Sequence, residues 1–261
     1  VRRPGLWAAV VFLAVVLAWA VVPEWFAPHD PLAGVPKEKL LPPSAAHWFG
    51  TDQLGRDLFS RVVHGASLSL SATALAVAVG FVAGTALGLL SGYAGGRLDE
   101  IVMRCVDVML SIPGLLLSLA VVTVLGFGTV NVAISVGIAA VAGFARVMRS
   151  DVLRAGTQVF VEAAGALGVG RVRILFRHVL PHAIGSVLVL AALEFGTAIL
   201  AVSSLSFLGF GAAPPAPEWG SLVSEGRNHL ANAWWLTTLP GAVIVATMLA
   251  ANRVSRALED R

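Results

Sequence analysis

Residues 67–90 read SLSLSATALAVAVGFVAGTALGLL, a run without a single charge. A helix needs about 20 consecutive apolar residues to cross the hydrocarbon of a bilayer. Backbone amides in lipid must bond within their own segment, so such a run is expected to be helical. Gly80, Gly84 and Gly88 recur at every fourth position. Small residues at that spacing let two helix backbones approach closely.

Outward from this run lie five more apolar blocks, so the candidate spans are 6–22, 67–90, 101–125, 129–148, 183–208 and 236–252. Of the 261 residues, 57% are hydrophobic and 13% charged, and the mean hydropathy is +0.84. A soluble domain carries about 25% charged residues. The apolar residues come in span-length blocks, which excludes an alanine-rich soluble core. A net charge of +3 does not indicate a nucleic-acid binder, because the arginines sit at block ends and form no continuous face. The fold class expected is an all-α polytopic membrane protein with six transmembrane helices.

Arg2 and Arg3 precede the first block. Ala18-Trp19-Ala20 resembles a signal-peptidase site, so a cleaved signal competes with a retained span; retention is the expectation. This block is richer in Trp than the others and is expected at a lipid-facing edge. Cys105 lies within an apolar block, where a small buried hydrophobe is its expected role.

Basic residues flank the cytoplasmic side of membrane proteins. With the N-terminus inside, six spans place 13 of the 18 basic residues at the inner face and leave five, Lys37, Lys39, Arg56, Arg61 and Arg227, outside. Both termini are then cytoplasmic. The chain divides into 1–66 (first span and long outer loop), 67–256 (core of five spans) and a tail, 257–261. The proline-rich loop 23–66 is expected to end in a short helix near 53–64 capped by Thr51 or Asp52. The second outer loop, 209–235, is expected to dip partway into the membrane, with Trp219, Trp234 and Trp235 as interfacial anchors and Trp48 doing the same in the first loop.

The inner segment 149–182, RSDVLRAGTQVFVEAAGALGVGRVRILFRHVLPH, is charged and too long for a simple turn. Val159, Glu162, Ala163 and Ala164 suit a short helix. Gly165, Gly168 and Gly170 are expected to interrupt it. A second piece from Arg171 to Val179 ends at Pro181, or leads there into the next span. Two short helices meeting at a glycine make a protruding elbow.

Glu162-Ala163-Ala164, then Gly168, then Val179-Leu180-Pro181 resembles the EAA signature of bacterial ATP-binding cassette (ABC) importer permeases. His47-Trp48-Phe49-Gly50-Thr51-Asp52-Gln53-Leu54-Gly55-Arg56-Asp57 is similar to the segment ahead of the second span in the C-type permeases of dipeptide, oligopeptide and nickel importers. So are Gly92-Tyr93-Ala94-Gly95-Gly96, Asp99-Glu100, Asp107, Ser111-Ile112-Pro113, the run from Ser203 to Gly211, and Pro217-Glu218-Trp219-Gly220. The lead before the first span is short for that subgroup.

The resemblance implies a type I importer permease fold in a bacterial inner membrane, paired with a homologous B-type permease. It also implies two ATPase subunits, or one fused ATPase, and an extracytoplasmic solute-binding protein. The carried solute would be a dipeptide, an oligopeptide, a nickel complex or a haem-like compound. Coupling to the ATPase would fall to Phe160, Glu162, Ala163, Ala164, Leu167, Gly168, Leu180 and Pro181. Two roles fit Glu162: part of the joint, or a local cap or ion pair with an arginine. The chain has no Gly-x-x-x-x-Gly-Lys-Ser/Thr loop, and its only lysines are Lys37 and Lys39. It is therefore expected to be non-catalytic and without a cofactor of its own, with ATP and Mg held by the partner ATPase.

Ionisable residues within spans are costly and often functional. Glu194 either lines a pathway and meets a substrate amine or bonds a neighbouring helix. Ser203, Ser204 and Ser206 either line the path or bond backbone carbonyls. Asp107 is expected to pair with Arg104 or with another permease. Asp52, Arg56, Asp57 and Trp219 are expected to face the binding protein. His178 and His182 have i, i+4 spacing, but Pro181 stands between them and no metal site is expected. A hydrolase would need a nucleophile and base that the sequence does not offer, and a channel or secondary transporter needs no docking elbow.

Overall fold

The computed structural model describes residues 4–259, apart from the side chains of Pro4, Glu162, Leu258 and Glu259. Arg2 and Arg3, the predicted inner flank of the first span, and the end of the 257–261 tail lie outside the described residues. Ten α-helices follow in order: α1 (Pro4–Val21), α2 (Leu58–Ala94), α3 (Gly96–Ser111), α4 (Gly114–Leu125), α5 (Thr129–Gly156), α6 (Val159–Ala166), α7 (Arg171–Ile174), α8 (Leu180–Phe207), α9 (Trp219–Gly226) and α10 (Trp235–Glu259). A π turn, Leu175–Val179, joins α7 to α8.

Four helical stretches are long and apolar enough to cross a membrane: Leu58–Ala94, Thr129–Gly156, Arg171–Phe207 and Trp235–Ala257. The predicted span 101–125 is not straight. It is α3 and α4, bent by 99°. Pro113 supplies no N–H and pushes Ile112 into an extended conformation (φ −97°, ψ 131°), which ends α3. Counting that pair as one gives up to five spans. The block at 6–22 forms the 18-residue α1, about 27 Å long at 1.5 Å per residue.

The centre of the bundle is α2 against α5. A Cβ on Gly80 would stand 2.9 Å from the Ala140 Cβ, and one on Gly84 2.5 Å from the Phe144 Cβ. One on Gly88 would run into the Ala145 carbonyl, and from the other side one on Gly137 would lie 2.7 Å from the Ala76 carbonyl. The two backbones touch along this seam. Helix α8 packs on α2 and α5, and α10 packs on α8. Helix α1 lies at the edge against α2 and α10, burying Val16 and Trp19 and exposing Trp7, Val11 and Val21.

Two details differ from the sequence reading. No short helix precedes the second span: α2 runs unbroken from Leu58, capped by Asp57, whose carboxylate accepts from the Ser60 N–H at 2.8 Å. Thr51 and Asp52 are otherwise engaged: the Thr51 hydroxyl accepts from the Leu41 N–H at 2.8 Å, and Asp52 accepts from the N–H groups of Leu54 and Arg56 in a tight turn at Gly55 (φ +75°). Cys105 is exposed; α3 turns Val106 into the bundle instead.

The seam yields a test. Gly84→Leu should cost at least the ~1–3 kcal/mol typical of overpacking, read as a lower melting temperature in detergent. Gly143→Ala, whose Cβ would meet open space, should leave the melt unchanged or slightly raised.

Candidate functional site

The predicted elbow is present. Helix α6 ends in a paired cap: the Gly168 N–H bonds the Gly165 carbonyl at 3.0 Å and the Val169 N–H bonds the Ala164 carbonyl at 3.1 Å. This closure needs a left-handed residue, and Gly168 has φ +78°. Gly165 lies within α6 and Gly170 has an ordinary φ of −61°, so Gly168 alone of the three makes the turn. The second piece is not a separate short helix. Through the π turn it is the head of the long stretch ending at Phe207.

The elbow is pinned from within. Ala164 packs with Val152, Ala155, Ile174 and Leu175, and the Tyr93 hydroxyl donates to the Arg171 carbonyl at 2.6 Å. The Phe160 ring lies 4.7 Å from the His182 ring. Outward, the surface is apolar: Leu167 is 85% exposed, Val159 79%, Val172 70% and Phe176 59%. Ala163, Gly168 and Pro181 are exposed and Leu180 is half-buried. Glu162 lies in α6, with its side chain outside the described residues.

Glu194 and the serines line different clefts. A cleft of about 270 Å³ between α2, α3, α4, α5 and α8 is bordered by Glu194, Thr197, Ser118, Leu115 and Gly143. The Thr197 hydroxyl is placed to donate to Glu194 at 2.7 Å. A second cleft, of about 400 Å³, is bordered by Ser203, Ser204, Gly220, Gly241 and again Leu115. Ser204 bonds the Leu200 carbonyl at 2.7 Å, whereas the buried Ser203 hydroxyl has no partner among the described residues. Asp107 does not pair with Arg104. It meets Arg146 of α5 at 2.5 Å, while Arg104 reaches Glu100.

At the far end of α2 from the elbow, residues 22–57 and 208–234 form a loop lobe. The four residues expected to face a binding protein turn inward here. Asp52 and Asp57 are each 2% exposed, Arg56 5% and Trp219 0%. Asp52 bonds Arg56 and Arg61, each at 2.6 Å, and both arginines reach Glu225 at 3.3 and 3.0 Å. Burial alone would push the Asp52 carboxyl up; the N–H groups of Arg56 and Leu54 and the two guanidiniums outweigh it and hold the carboxyl below its ordinary value. The Trp219 indole donates to the Val62 carbonyl at 2.8 Å, and its backbone N–H to Ser69 at 3.1 Å. Trp219 and Trp235 are therefore packed within the chain; of the predicted anchors, Trp48 and Trp234 remain exposed. Neither Glu225, 164 residues from Arg61, nor Tyr93 had a local signal marking its role.

Residues 84–261 match the family described as binding-protein-dependent transport system inner membrane component. The chain is 40% identical to the probable D,D-dipeptide transport system permease protein DdpC of Escherichia coli K12, over 96% of this chain and 84% of that protein. It is 40% identical to the glutathione transport system permease protein GsiD of Pectobacterium atrosepticum, over 97% and 84%. To the di/tripeptide transport system permease protein DppC of Pseudomonas aeruginosa it is 37% identical, over 99% and 88%. The chain belongs to this family of inner-membrane transport permeases. The solved methionine ABC transporter MetNI, in inward-facing conformations, has the same fold, with a TM-score of 0.59 at 20% identity over 76% of this chain and 96% of that one. This permease thus carries its elbow, the second cleft and all of the first except its α2 wall inside the family match, and residues 22–57 of its loop lobe ahead of it.

The buried clasp formed by Asp52, Arg56, Arg61 and Glu225 should be sensitive to acid. The lowered Asp52 pKa contributes stability above the unfolded value of 3.8 and loses it as pH falls through the folded value. Asp52→Asn should remove that acid-dependent part. It should also cost about 3–5 kcal/mol at neutral pH, because Arg61 stays buried with a weakened partner set. Tryptophan fluorescence during an acid titration and a neutral thermal melt read both effects.

Proposed function

We propose that this permease forms half of the pathway through which a small peptide-like solute enters the cytoplasm, and that an ATPase drives it by gripping the elbow. The reading rests on one observation above others: Leu167, 85% exposed, tops an apolar protrusion that is rigidly tied to α2, α5 and α8. An apolar patch of this kind on an internally braced element fits a protein partner. The excess of basic residues around the elbow supports a cytoplasmic position for it, with both termini inside and the loop lobe toward an external binding protein. The second permease closes the other side of the path, and ATP and Mg belong to the ATPase.

The substrate class follows from the relatives, named for D,D-dipeptides, glutathione and di- or tripeptides, and from Glu194. A carboxylate in a mostly apolar cleft offers a partner to a peptide amine. A nickel complex or haem-like solute has no comparable feature in its favour. The outer contact with the binding protein then falls to exposed neighbours of the clasp such as Trp48 and Trp234, the clasp itself holding their loops.

Leu167→Asp should lower co-purification of the ATPase and peptide uptake by about tenfold or more, with the permease still inserted and folded. Gly168→Pro should do the same, since proline cannot adopt a positive φ. Undiminished uptake of labelled dipeptide by both variants would remove the elbow from the mechanism. Glu194→Gln should leave ATPase assembly intact and raise the peptide KM about tenfold.

A further inference from the structure

The loop lobe gathers three metal-ligating side chains that no part of the transport reading uses. His29 and His47 come from the proline-rich loop, and Asp57 is the N-cap of α2. One ligand atom from each lies within 4.8 Å of the other two. The His47 Nδ1 stands 2.9 Å, and the His29 Nδ1 3.8 Å, from the same Asp57 oxygen. Ligands of a tetrahedral zinc ion with bonds of ~2.0–2.1 Å are separated by roughly 3.3 Å, between these two values.

Each of the three is held by a second contact. The other Asp57 oxygen accepts from the Ser60 N–H at 2.8 Å, and the His29 N–H donates to the Ser60 hydroxyl at 3.1 Å. The His47 Nε2 faces a Glu38 carboxylate oxygen at 3.6 Å. A metal-bound histidine typically directs its other ring N–H at a carboxylate, which fixes the tautomer. In the structure the His47 Nδ1 hydrogen-bonds the Asp57 oxygen; a bound ion would take the place of that bond, with the imidazole proton on Nε2, toward Glu38.

The electrostatics point the same way. Asp57 is 2% exposed, yet among the described residues no lysine or arginine lies within 4.0 Å of it; its ionic contacts are the two imidazoles. The neighbouring arginines, Arg56 and Arg61, are committed to Asp52 and Glu225. Buried charges are ordinarily paired or bound to metal. The side chain of His29 is 42% exposed, which leaves an entry path and room for a water as fourth ligand.

We propose that His29, His47 and Asp57 form a binding site for a divalent transition metal of the zinc class, with Glu38 orienting His47. Two imidazoles and one carboxylate select such an ion over Mg²⁺ or Ca²⁺, which prefer all-oxygen shells. The ion would lock the loop around His29 to the head of α2.

The test uses the full chain in lipid nanodiscs, stripped with chelator and dialysed against Zn²⁺ with excess Mg²⁺ present. The wild type should hold one Zn²⁺ per chain. His29→Ala and Asp57→Asn should each weaken binding by more than tenfold; asparagine still caps α2, so the fold is kept. Glu38→Gln should weaken it about 10–100-fold, as loss of an orienting partner does. His178→Ala with His182→Ala should change nothing, which separates this site from the histidine pair at the elbow. A wild-type chain that binds no stoichiometric zinc overturns the proposal whatever the variants do. So does zinc retained at full affinity by both His29→Ala and Asp57→Asn.

Discussion

The backbone-to-backbone contact of α2 with α5 is the constraint on which the rest of the bundle depends. Lipid tails are as apolar as leucine, so helices in a bilayer gain nothing by burying apolar side chains against one another; close packing and polar contacts must hold them. Gly80, Gly84 and Gly88 clear side chains from three successive turns on one face of α2, and Gly137 answers from α5. The register this fixes reaches both ends of the molecule. Tyr93, at the last turn of α2, meets Arg171 at the base of the elbow. Arg61, in the first turn of the same helix, meets Glu225 in the loop lobe.

The two ends handle polarity in opposite ways. The loop lobe hides charge: Asp52, Arg56 and Arg61 are all nearly inaccessible. A buried ion cluster adds little net stability, because desolvation offsets much of the Coulomb gain, but it punishes any misplacement of its members. That suits loops of irregular backbone, which have no helix ladder to hold their register. The elbow does the reverse, exposing Leu167, Val159 and Val172 while its small residue Ala164 packs inward. One end is finished within the chain; the other presents a surface that water alone does not favour.

The spans were legible because their signal is compositional: a charge-free run of more than 20 residues permits few structures in any fold. The bend at Ile112-Pro113 was also written in the sequence, as a proline rule, but an apolar window of 25 residues masks it. Asp57 as the cap of α2 could not be read locally, since Thr51, Asp52 and Asp57 are all acceptable caps; tertiary bonds to Asp52 decide among them. Arg146 with Asp107, 39 residues apart, and His29 with Asp57 depend on which helices and loops meet, and one sequence does not contain that. Trp219 misled because tryptophan at a loop serves equally as an interfacial anchor and as a core residue; the fold decides for the second by burying it against Gly65 and bonding it to Val62 and Ser69.

How an applied force would travel follows from the continuity of the chain beyond Gly168. Were the segment after the glycine turn a free-standing helix, a push on α6 would dissipate in a joint before the next span. Instead the helical path from Arg171 reaches Phe207 without a loop. Pro181 would disrupt an α ladder at this point, lacking an N–H and crowding the carbonyl four residues back. The π turn absorbs it: the Leu180 N–H bonds the Leu175 carbonyl, five residues earlier. The helix that starts at the elbow therefore arrives intact at Glu194 in one cleft and Ser203 in the other. Rotation of the elbow must turn both side chains together, and Leu115, which borders both clefts, stands where their walls would have to part.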